Sequence, residues 1–534
     1  MRGADLIARA LERADVKDVF ALSGNQIMPI FDACIDAEIA LYHVRHEAAA
    51  TYMADCWAQL TGKVGVALVT AAPGFANALS PLYSAGMAES PVLLLSGDSP
   101  RAADGKGSFQ EMDQVTASTP FTKHSFRSET AEGLGQDIAD AIHIACSGRP
   151  GPVHLALPFD LLNTDVGDVA LPSDDSYQPL RKAPSPAMLD AIAETLKVAE
   201  KPLLITGPRL NRTRAEISID SLADAIDVPV IPMESPRGLN DPALGDFSEM
   251  FKQADLVLSL GKRLDFTTGF AQSPAIDENC RFIIADPDVS ELSRARRALG
   301  ARLHAAYVAD PELLGQALCD LQSATDRRAW RADVSAAISA RGNTPEDAST
   351  PIHPAKLGAA VQEVIDQADD PILIVDGGEF GQWAQATISA PTRVINGPGG
   401  AIGGGLCYAF AAKIARPEAT VIVLMGDGTA GFHFAEFETA QRYGTNFIAV
   451  IGNDARWNAE YQIQLRDYGD QRLYGCELNP TQYNEAAIGL GCHGDHVSAS
   501  ADLAGAFADA LASGKPACIN VEIDGLPAPS GSGH

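Results

Sequence analysis

Short runs of apolar residues, many of which end at Gly or Asp, recur along the whole chain and constrain its fold more than any other feature. Ten of them share this form: Val66–Thr70, Val92–Ser96, Val153–Pro158, Leu203–Thr206, Leu256–Leu260, Phe282–Ala285, Ile372–Val375, Val421–Met425, Phe447–Ile451 and Cys518–Ile523. Runs of about four to eight apolar residues without polar alternation are typical of strands buried on both faces of a parallel sheet. Segments with helical spacing lie between them, for example Leu6–Ala14 before the strand-like run Val19–Leu22. We therefore predict an α/β fold of doubly wound parallel sheets.

Two stretches rich in Pro, Ser and Asp divide the chain. One runs from Leu171 to Pro186 and the other from Arg341 to Pro354. This composition is typical of linkers between domains. We predict three α/β domains over residues 1–170, 186–340 and 352–534, with the first and third as candidate remote duplicates of one design.

The charge balance limits the partners of this chain. Forty Lys and Arg residues stand against 69 Asp and Glu residues, which gives a net charge of −29. Most of the surface would therefore repel nucleic-acid phosphates and anionic membranes. The apolar runs are also far shorter than the ~20 residues of a membrane span. We expect neither a nucleic-acid nor a membrane partner, and an anionic substrate would need locally placed cations.

The cysteines and the N-terminus bear on the cellular compartment. Nine cysteines form no Cys-x-x-Cys pair, so neither a zinc ribbon nor a redox dithiol is indicated. The segment Met1–Ile7 has an acid, Asp5, inside its first apolar stretch and lacks the apolar core of a signal peptide. We expect reduced cysteines and a cytoplasmic protein.

A Gly-Asp-Gly turn, Gly426–Gly428, follows the run Val421–Met425 directly, and Asn453 and Asp454 follow the next apolar run. Because parallel strands end at one edge of a sheet, these acids are expected to lie side by side there. Carboxylate oxygens suit Mg²⁺ that is also bound to phosphates, and the glycines let backbone N–H groups approach those phosphates. The alternative is a pair of tight strand-to-helix turns in which Asp caps the helix.

This spacing resembles the motif of thiamine-diphosphate enzymes of the acetolactate synthase-like, or pyruvate decarboxylase-like, family. The resemblance implies that Mg²⁺ is bound by Asp427, Asp454 and the backbone carbonyl of Arg456, and that Gly426, Gly428 and Thr429 contact the diphosphate. The family usually has Asn where this chain has Asp454. The additional negative charge beside a diphosphate keeps Asn453 open as the alternative ligand.

The segment Tyr42–Ala50 resembles the glutamate segment of the same family, and Glu47 matches its cofactor-activating acid. A carboxyl group in that role must hydrogen-bond the aminopyrimidine ring of the cofactor. Burial that raises the pKa of a glutamate would suit the role. The alternative is an ordinary glutamate at a helix N-terminus, where the helix dipole favours a negative charge.

Three more segments of the first domain resemble the family. Gly24–Gln26 corresponds to a loop near the substrate, which makes Asn25 a substrate candidate. Ala72–Asn77 resembles a Gly-Pro-Gly-x-x-Asn turn, which implies cofactor contacts at Pro73 and Asn77. Ser108–Asp113 resembles an Ala-Phe-Gln-Glu segment, which makes Gln110 a candidate hydrogen-bonding residue of the active site.

Two segments of the third domain also match. Asp376–Gly381 follows a strand near the family's diphosphate contacts, which implies that Glu379 and Phe380 contact the cofactor. Gly399–Gly403 aligns with a Gly-x-Met-Gly stretch, which implies a contact at Gly400. Ile402 then takes the place of the apolar residue that bends the cofactor and brings its reacting atoms together. The alternative is a core isoleucine after a glycine turn.

Substrate contacts are harder to assign from sequence. His46, Lys123, His124 and His433 are candidates for the cationic contacts that a 2-oxo acid carboxylate needs, and Trp457 for limiting substrate size. The alternative for the histidines and Lys123 is an ordinary surface residue, and the alternative for Trp457 is packing in a subunit contact. His43-x-x-His46 and His493-x-x-His496 have metal-like spacing without a third ligand nearby, so we expect no zinc site.

The central segments Ile205–Pro208 and Ser259–Asp265 resemble the central domain of the family, which binds FAD or ADP in several relatives. No Gly-x-Gly-x-x-Gly turn follows its first strand, and Met233–Leu239 replaces the segment that FAD-binding relatives use. We do not expect FAD.

The resemblance covers nearly the whole chain. It implies an enzyme that uses thiamine diphosphate and Mg²⁺ to cleave or form a C–C bond in a small 2-oxo acid or α-hydroxyketone, as a decarboxylase, lyase or carboligase. It also implies a homodimer or homotetramer, because the family places the Glu47 domain of one subunit over the diphosphate domain of another.

Three alternatives to this function remain. The first is a 2-hydroxyacyl-CoA lyase-like activity, although the chain ends soon after Cys518–Ile523, where relatives that use acyl-CoA continue. The second is a catalytically silent paralogue. The third is a dinucleotide-dependent oxidoreductase, which should show a Gly-x-Gly-x-x-Gly turn after a strand.

Overall fold

The computed structural model describes residues 1–321, 325–341, 350–395 and 399–529. Within them the chain forms three sheets whose strands are all parallel, which confirms the predicted fold class. Residues 342–349 of the second predicted linker and residues 530–534 of the third predicted domain lie outside the described residues.

The chain divides into two compact units. The first contains Met1–Leu180 together with Leu406–Pro417 and His433–Thr445. The second contains Arg181–Gly405, Glu418–Phe432 and the chain from Asn446 onward. The first sheet lies in the first unit, and the central and third sheets lie in the second.

The first sheet has the strand order β2-β1-β3-β4-β6-β5. Its strands are β1 (Asp18–Ala21), β2 (Ala40–His43), β3 (Gly65–Val69), β4 (Val92–Asp98), β5 (His124–Arg127) and β6 (Val153–Pro158). The helices of this part of the chain are α1 (Gly3–Arg13), α2 (Met28–Asp36), α3 (Glu47–Thr61), α4 (Pro73–Met87), α5 (Gln114–Ser118), α6 (Leu134–Cys146) and α7 (Phe159–Asn163). The order reverses between β1 and β3, and loops at such a reversal form ligand sites.

The central sheet has the order β11-β10-β9-β7-β8. Its strands are β7 (Pro202–Thr206), β8 (Val230–Pro232), β9 (Leu256–Leu260), β10 (Arg281–Ala285) and β11 (Leu303–Tyr307). The accompanying helices are α8 (Pro186–Val198), α9 (Ile219–Ile226), α10 (Phe247–Lys252), α11 (Val289–Leu299), α12 (Pro311–Cys319) and α13 (Arg328–Ser339). Leu203 and Ile205 belong to one apolar core and Leu204 to another, because successive strand residues face opposite, helix-covered sides of the sheet.

The third sheet has the order β13-β12-β14-β15-β17-β16, the same arrangement as the first sheet, as expected of two copies of one design. Its strands are β12 (Pro371–Val375), β13 (Thr392–Ile395), β14 (Thr420–Gly426), β15 (Ile448–Asn453), β16 (His493–Val497) and β17 (Ala517–Glu522). The helices of this part of the chain are α14 (Pro354–Gln367), α15 (Gly378–Thr387), α16 (Gly405–Ala415), α17 (Asp427–Ala430), α18 (Glu436–Tyr443), α19 (Asn458–Tyr468), α20 (Tyr483–Gly489) and α21 (Leu503–Ser513). The order reverses between β12 and β14.

All eleven apolar runs predicted as strands form strands, with ends displaced by at most two residues. Six further strands of the described chain were not predicted: β2, β5, β8, β11, β13 and β16. They are the two edges of each sheet. An edge strand is less completely covered than a central one, so it can carry polar residues, as β16 does with the sequence His-Gly-Asp-His-Val.

The described chain contains no helix that is both long enough and apolar enough to cross a membrane. The nine cysteines all lie among the described residues, and none forms a disulfide.

Candidate active site

A cavity of about 180 Å³ lies at the carboxyl ends of β12 and β14, where the strand order of the third sheet reverses. This is the position at which open α/β sheets bind ligands. The structure brings eleven of the candidate residues predicted in the third domain to this cavity, and His433 is not among them: Glu379, Phe380, Gly400, Ile402, Gly426, Asp427, Gly428, Thr429, Asp454, Arg456 and Trp457.

Asp427, which is buried, and Asp454, which is half-buried, form a pair of carboxyl groups in this cavity. Asp427 is 2% exposed, and its Oδ2 atom accepts no hydrogen bond from any described residue. Burial raises the pKa of Asp427 to about 6 and outweighs the backbone N–H groups of Gly428 and Arg456, which lower it. Burial and the charge of Asp427 together raise the pKa of Asp454 to about 7. A divalent cation would relieve both effects, so the residues present fit Mg²⁺.

Protein side chains alone do not complete a metal site here. Among residues 1–321, 325–341, 350–395 and 399–529, no group of three or more His, Cys, Asp and Glu side chains is arranged to hold a metal ion. His493 instead pairs with Asp495 at 2.6 Å, and His496 pairs with Glu522 at 3.0 Å. A metal held by Asp427 and Asp454 therefore needs oxygen ligands from outside the side chains, as phosphates and backbone carbonyls supply.

The side chain of Asn453 forms hydrogen bonds with other residues of the protein. Its Nδ2 donates to the carbonyl oxygen of Thr481 at 3.0 Å and to Oδ1 of Asn520 at 3.1 Å. Its Oδ1 accepts from the backbone N–H of Ala455 at 3.2 Å. Asp454 lines the cavity and Asn453 does not, so the geometry favours Asp454 as the ligand.

Glycines leave room for a ligand around the two carboxyl groups. Gly378 and Gly400 have φ values of +77° and +67°, and a Cβ added at either would meet nothing within 4 Å. Gly428 is required for a different reason, because a Cβ there would lie 2.7 Å from the ring of Trp457. Trp457 thus packs on the Gly-Asp-Gly turn and contacts Phe432 at a ring distance of 6.2 Å.

Glu379 and Phe380 also support the walls of the cavity. Oε1 of Glu379 accepts from the backbone N–H of Ala528 at 2.6 Å, and its Oε2 accepts from Gln382 at 3.1 Å. Phe380 packs against Gly452, where a Cβ would lie 2.7 Å from its ring. The Glu379 carboxylate is therefore bound to the C-terminal segment, although the residue lines the cavity as expected.

Asp376 holds the loop that carries Ile402, a function that the sequence did not reveal. Its carboxylate is completely buried and accepts hydrogen bonds from the backbone N–H groups of Gly377 at 2.8 Å, Gly403 at 3.0 Å and Gly405 at 3.0 Å. The available signal was an acid at the end of a buried strand before two glycines. The result is a fixed backbone on the C-terminal side of Ile402.

In the first unit, Glu47 is the first residue of helix α3. His46 caps this helix, since its Nδ1 accepts from the backbone N–H of Ala48 at 3.1 Å. Asn77 donates to Oε2 of Glu47 at 2.9 Å, and Pro73 begins the helix that carries Asn77. The structure thus brings Glu47, Pro73 and Asn77 together. His46 acts here as a capping residue.

Gln26, rather than Asn25, makes the polar contacts of the first loop. Asn25 is exposed, whereas Gln26 is buried. Gln26 donates to Oε1 of Gln110 at 2.7 Å and accepts from the hydroxyl of Thr70 at 2.8 Å. Thr70 and Gln26 follow β3 and β1, so they meet where the strand order reverses. The sequence indicated the loop but not which of its side chains faces inward.

Lys123 and His124 do not join Glu47. They lie at the start of β5, whereas Glu47 lies beyond the end of β2. In a parallel sheet, the starts and the ends of the strands lie at opposite ends of the sheet. The Lys123 ammonium donates to the carbonyl oxygen of Ser147 at 2.7 Å, at the C-terminal end of α6. His124 stacks on Phe126 with ring centroids 5.1 Å apart. Lys123 therefore caps a helix end, where carbonyl dipoles favour a cation.

His433 lies near His46, with ring centroids 5.7 Å apart. Burial, with a smaller contribution from His46, lowers the pKa of His433 to about 4. His433 is therefore neutral at pH 7, in contrast to the expectation of a cationic contact.

Comparisons with known proteins match three parts of the chain to domains of one enzyme family. Residues 1–117 match the model of the thiamine pyrophosphate enzyme N-terminal TPP binding domain, residues 189–318 the central domain, and residues 376–521 the C-terminal TPP binding domain. A probable acetolactate synthase of Mycobacterium bovis is 30% identical over 98% of this chain and 96% of its own. The 2-hydroxyacyl-CoA lyase 2 of Homo sapiens is 28% identical over 92% of this chain and 84% of its own. The catabolic acetolactate synthase of Raoultella terrigena is 28% identical over 98% of this chain and 95% of its own.

Proposed function

Since this chain belongs to the thiamine pyrophosphate enzyme family and is a thiamine-diphosphate-dependent enzyme of the lyase or transferase kind, we propose that it cleaves or forms a C–C bond in a small 2-oxo acid or α-hydroxyketone with Mg²⁺ as a second cofactor. The observation that carries this proposal is the pair of carboxyl groups, the buried Asp427 and the half-buried Asp454, in a cavity lined by glycines.

We assign Mg²⁺ to Asp427, Asp454 and the backbone carbonyl of Arg456. The open space at Gly378 and Gly400 and the Gly426–Thr429 turn are assigned to the diphosphate. Thiamine diphosphate supplies a carbon nucleophile and an electron sink for the bond that is broken or formed. Ile402, on a loop held by Asp376, is assigned to the wall against which the cofactor bends.

Glu47 is assigned to the aminopyrimidine ring of the cofactor. Its carboxyl group accepts one hydrogen bond, from Asn77, which orients it at the N-terminus of α3. In this position it would hold or release a proton at the ring nitrogen that it contacts. Gln110, supported by Gln26, is assigned to a hydrogen bond near the reacting atoms.

Substitutions of Asp454 separate its charge from its ligand atom. Asp454→Asn keeps a carbonyl oxygen and removes a charge that repels a diphosphate by ~1–4 kcal/mol at close range. We expect this variant to retain Mg²⁺-dependent cofactor binding. Asp454→Ala is expected to weaken the binding of Mg²⁺ and cofactor together by about tenfold or more. Calorimetric titration of both variants is the measurement. If binding is lost in Asp454→Asn but persists in Asp454→Ala, Asn453 is the metal ligand instead.

We further propose a homodimer or homotetramer in which Glu47 of one subunit completes the site that contains Asp427 of another, since members of this family are typically oligomeric. Mixing inactive Glu47→Gln and Asp427→Ala chains tests this. Hybrid dimers would contain one intact site, so random exchange is expected to restore about a quarter of wild-type activity. A site built from one chain would yield no activity in the mixture. The exchange itself is measured by native mass spectrometry of the mixed sample.

The reaction is tested with purified protein, thiamine diphosphate and Mg²⁺ against a panel of carbonyl compounds, with products identified by mass spectrometry. The panel contains 2-oxo acids, α-hydroxyketones and a 2-hydroxyacyl-CoA, because relatives are named both acetolactate synthase and 2-hydroxyacyl-CoA lyase. Turnover of the acyl-CoA alone would favour the second activity. Absence of turnover despite cofactor binding would indicate a silent paralogue.

A further inference from the structure

A second cavity, of about 330 Å³, lies beside Ile402 between the central and third sheets of the second unit. It shares Ile402, Gly378 and Gly400 with the cavity of the two carboxyl groups, so the two cavities lie next to each other. Arg237 is the one charged residue among the described residues that line it. Phe266 and Ile402 provide apolar surface on its walls.

Arg237 is exposed and makes no ion pair within 4 Å with any residue that the structure describes. The carboxyl group that its charge reaches is Glu379, where it lowers the pKa against the larger, opposite effect of burial. Glu379 is occupied, since both its oxygens accept hydrogen bonds from Ala528 and Gln382. An unneutralised guanidinium in a chain with a net charge of −29 thus faces the cavity.

The backbone holds Arg237 at this place. Its N–H donates to the hydroxyl of Ser235 at 3.2 Å. Gly238, with φ +58°, packs so closely on the backbone of Thr267 that no Cβ would fit. This contact fixes the loop of Arg237 against the segment that carries Phe266.

Gln385 provides an independent sign of a ligand in the same cavity. It is 6% exposed, and its amide oxygen is buried without a hydrogen-bond partner among the described residues. It lies on helix α15 one turn after Gln382, and both line the cavity. Because buried polar atoms are nearly always paired, this oxygen requires a donor that the described chain does not supply.

We propose that Arg237 binds the carboxylate of the substrate in this cavity, and that the amide oxygen of Gln385 accepts a hydrogen bond from a hydroxyl group of the bound substrate or of a water at its side. The proposal rests on the proposed function and makes it more specific. It selects anionic oxo or hydroxy acids over neutral α-hydroxyketones, because a planar guanidinium forms two parallel, charge-assisted hydrogen bonds with a carboxylate. Arg237 is thus a specificity-determining residue.

The cofactor diphosphate is the competing anion, because Arg237 also lines the cavity of Asp427 and Asp454. We assign Arg237 to the substrate because its cavity with Phe266 and Gln385 contains no other charged residue of the described chain, whereas the proposed Mg²⁺ would supply the positive charge at the diphosphate end. The experiment below separates the two assignments.

The test uses the full chain loaded with Mg²⁺ and an unreactive thiazolone analogue of the cofactor, so that binding is measured without turnover. Glyoxylate, pyruvate, 2-oxobutyrate and phenylglyoxylate are each compared with their methyl esters by ligand-observed NMR. Wild-type protein is expected to prefer at least one acid over its ester by about tenfold or more. Arg237→Gln is expected to remove this preference and leave the affinity for the ester unchanged, and Arg237→Lys to keep part of it.

Arg328→Gln is the matched control, since it removes the same charge from a side chain that is 84% exposed and paired with Asp326. A preference that persists in Arg237→Gln, or its loss in the control as well, overturns the proposal. The absence of acid binding across the panel overturns it too. A loss of cofactor affinity in Arg237→Gln with the acid preference intact would assign Arg237 to the diphosphate. Failure of wild-type protein to bind Mg²⁺ and the cofactor at all would instead contradict the proposed function.

Discussion

Glu47→Gln is expected to lower kcat by at least about 10² to 10⁴-fold, the usual cost of losing a group that transfers a proton in the reaction. Glutamine keeps an oxygen that can accept the hydrogen bond from Asn77, so the start of α3 is expected to stay in place. It cannot exchange a proton with the cofactor ring. Turnover is measured on the best substrate of the carbonyl panel, and cofactor affinity is measured by calorimetry on the same samples.

A suitable control for this variant is Glu132→Gln, which changes an exposed glutamate of the same unit. The control is expected to match wild-type turnover. Wild-type turnover in Glu47→Gln would show that Glu47 is an ordinary residue at a helix N-terminus. Loss of cofactor binding together with activity would show a role in holding the cofactor instead.

Asp427→Ala is expected to weaken Mg²⁺-dependent binding of thiamine diphosphate by at least about 100-fold, because it removes a charged ligand from a site completed by phosphates. In wild-type protein, cofactor at 100 times its Kd should add about 2.7 kcal/mol of stability, and at the same concentration this gain should fall to about 0.4 kcal/mol or less in the variant. Thermal unfolding with and without Mg²⁺ and cofactor measures the gain. An unchanged gain would refute the metal assignment.

The stability of the metal-free variants supplies an internal check. Burial raises the pKa of Asp427 to about 6, from the ordinary value of 3.8. A carboxyl group with a raised pKa costs folded-state stability as the pH rises through this interval, and the full cost remains above it. At pH 8 and without metal, Asp427→Asn is therefore expected to unfold at a higher temperature than wild type. Cofactor binding is therefore also measured for Asp427→Asn, where weaker binding in a more stable protein could not be attributed to misfolding.

The central strands and the principal motifs were accessible from the sequence because they depend on local patterns. A strand covered on both faces, such as β14, needs consecutive apolar residues, and the residue after its last one lies at the sheet edge that binds ligands. This is why Asp427 and Asp454 could be placed together before any coordinates. Edge strands such as β5 and β16 carry polar residues on their open sides and leave no such pattern.

Side-chain direction and sheet order were decided only by the tertiary structure. Spacing does not distinguish Asn453 from Asp454, whereas the structure turns Asn453 toward Asn520 on the neighbouring strand. In the same way, it turns Gln26 inward toward Gln110 and leaves Asn25 exposed. These choices depend on contacts between segments that are distant in sequence.

The sequence by itself therefore determined the fold class, the family and the two motifs, since periodicity and spacing along the chain are enough for them. The tertiary structure decided that Lys123 caps a helix at the opposite end of the strands from Glu47, that Asp376 holds the loop of Ile402, and that Arg237 lines the cavity beside Ile402. The physical reason is that the strand order and the direction of each strand bring together side chains separated by tens or hundreds of residues. No local sequence pattern specifies these contacts.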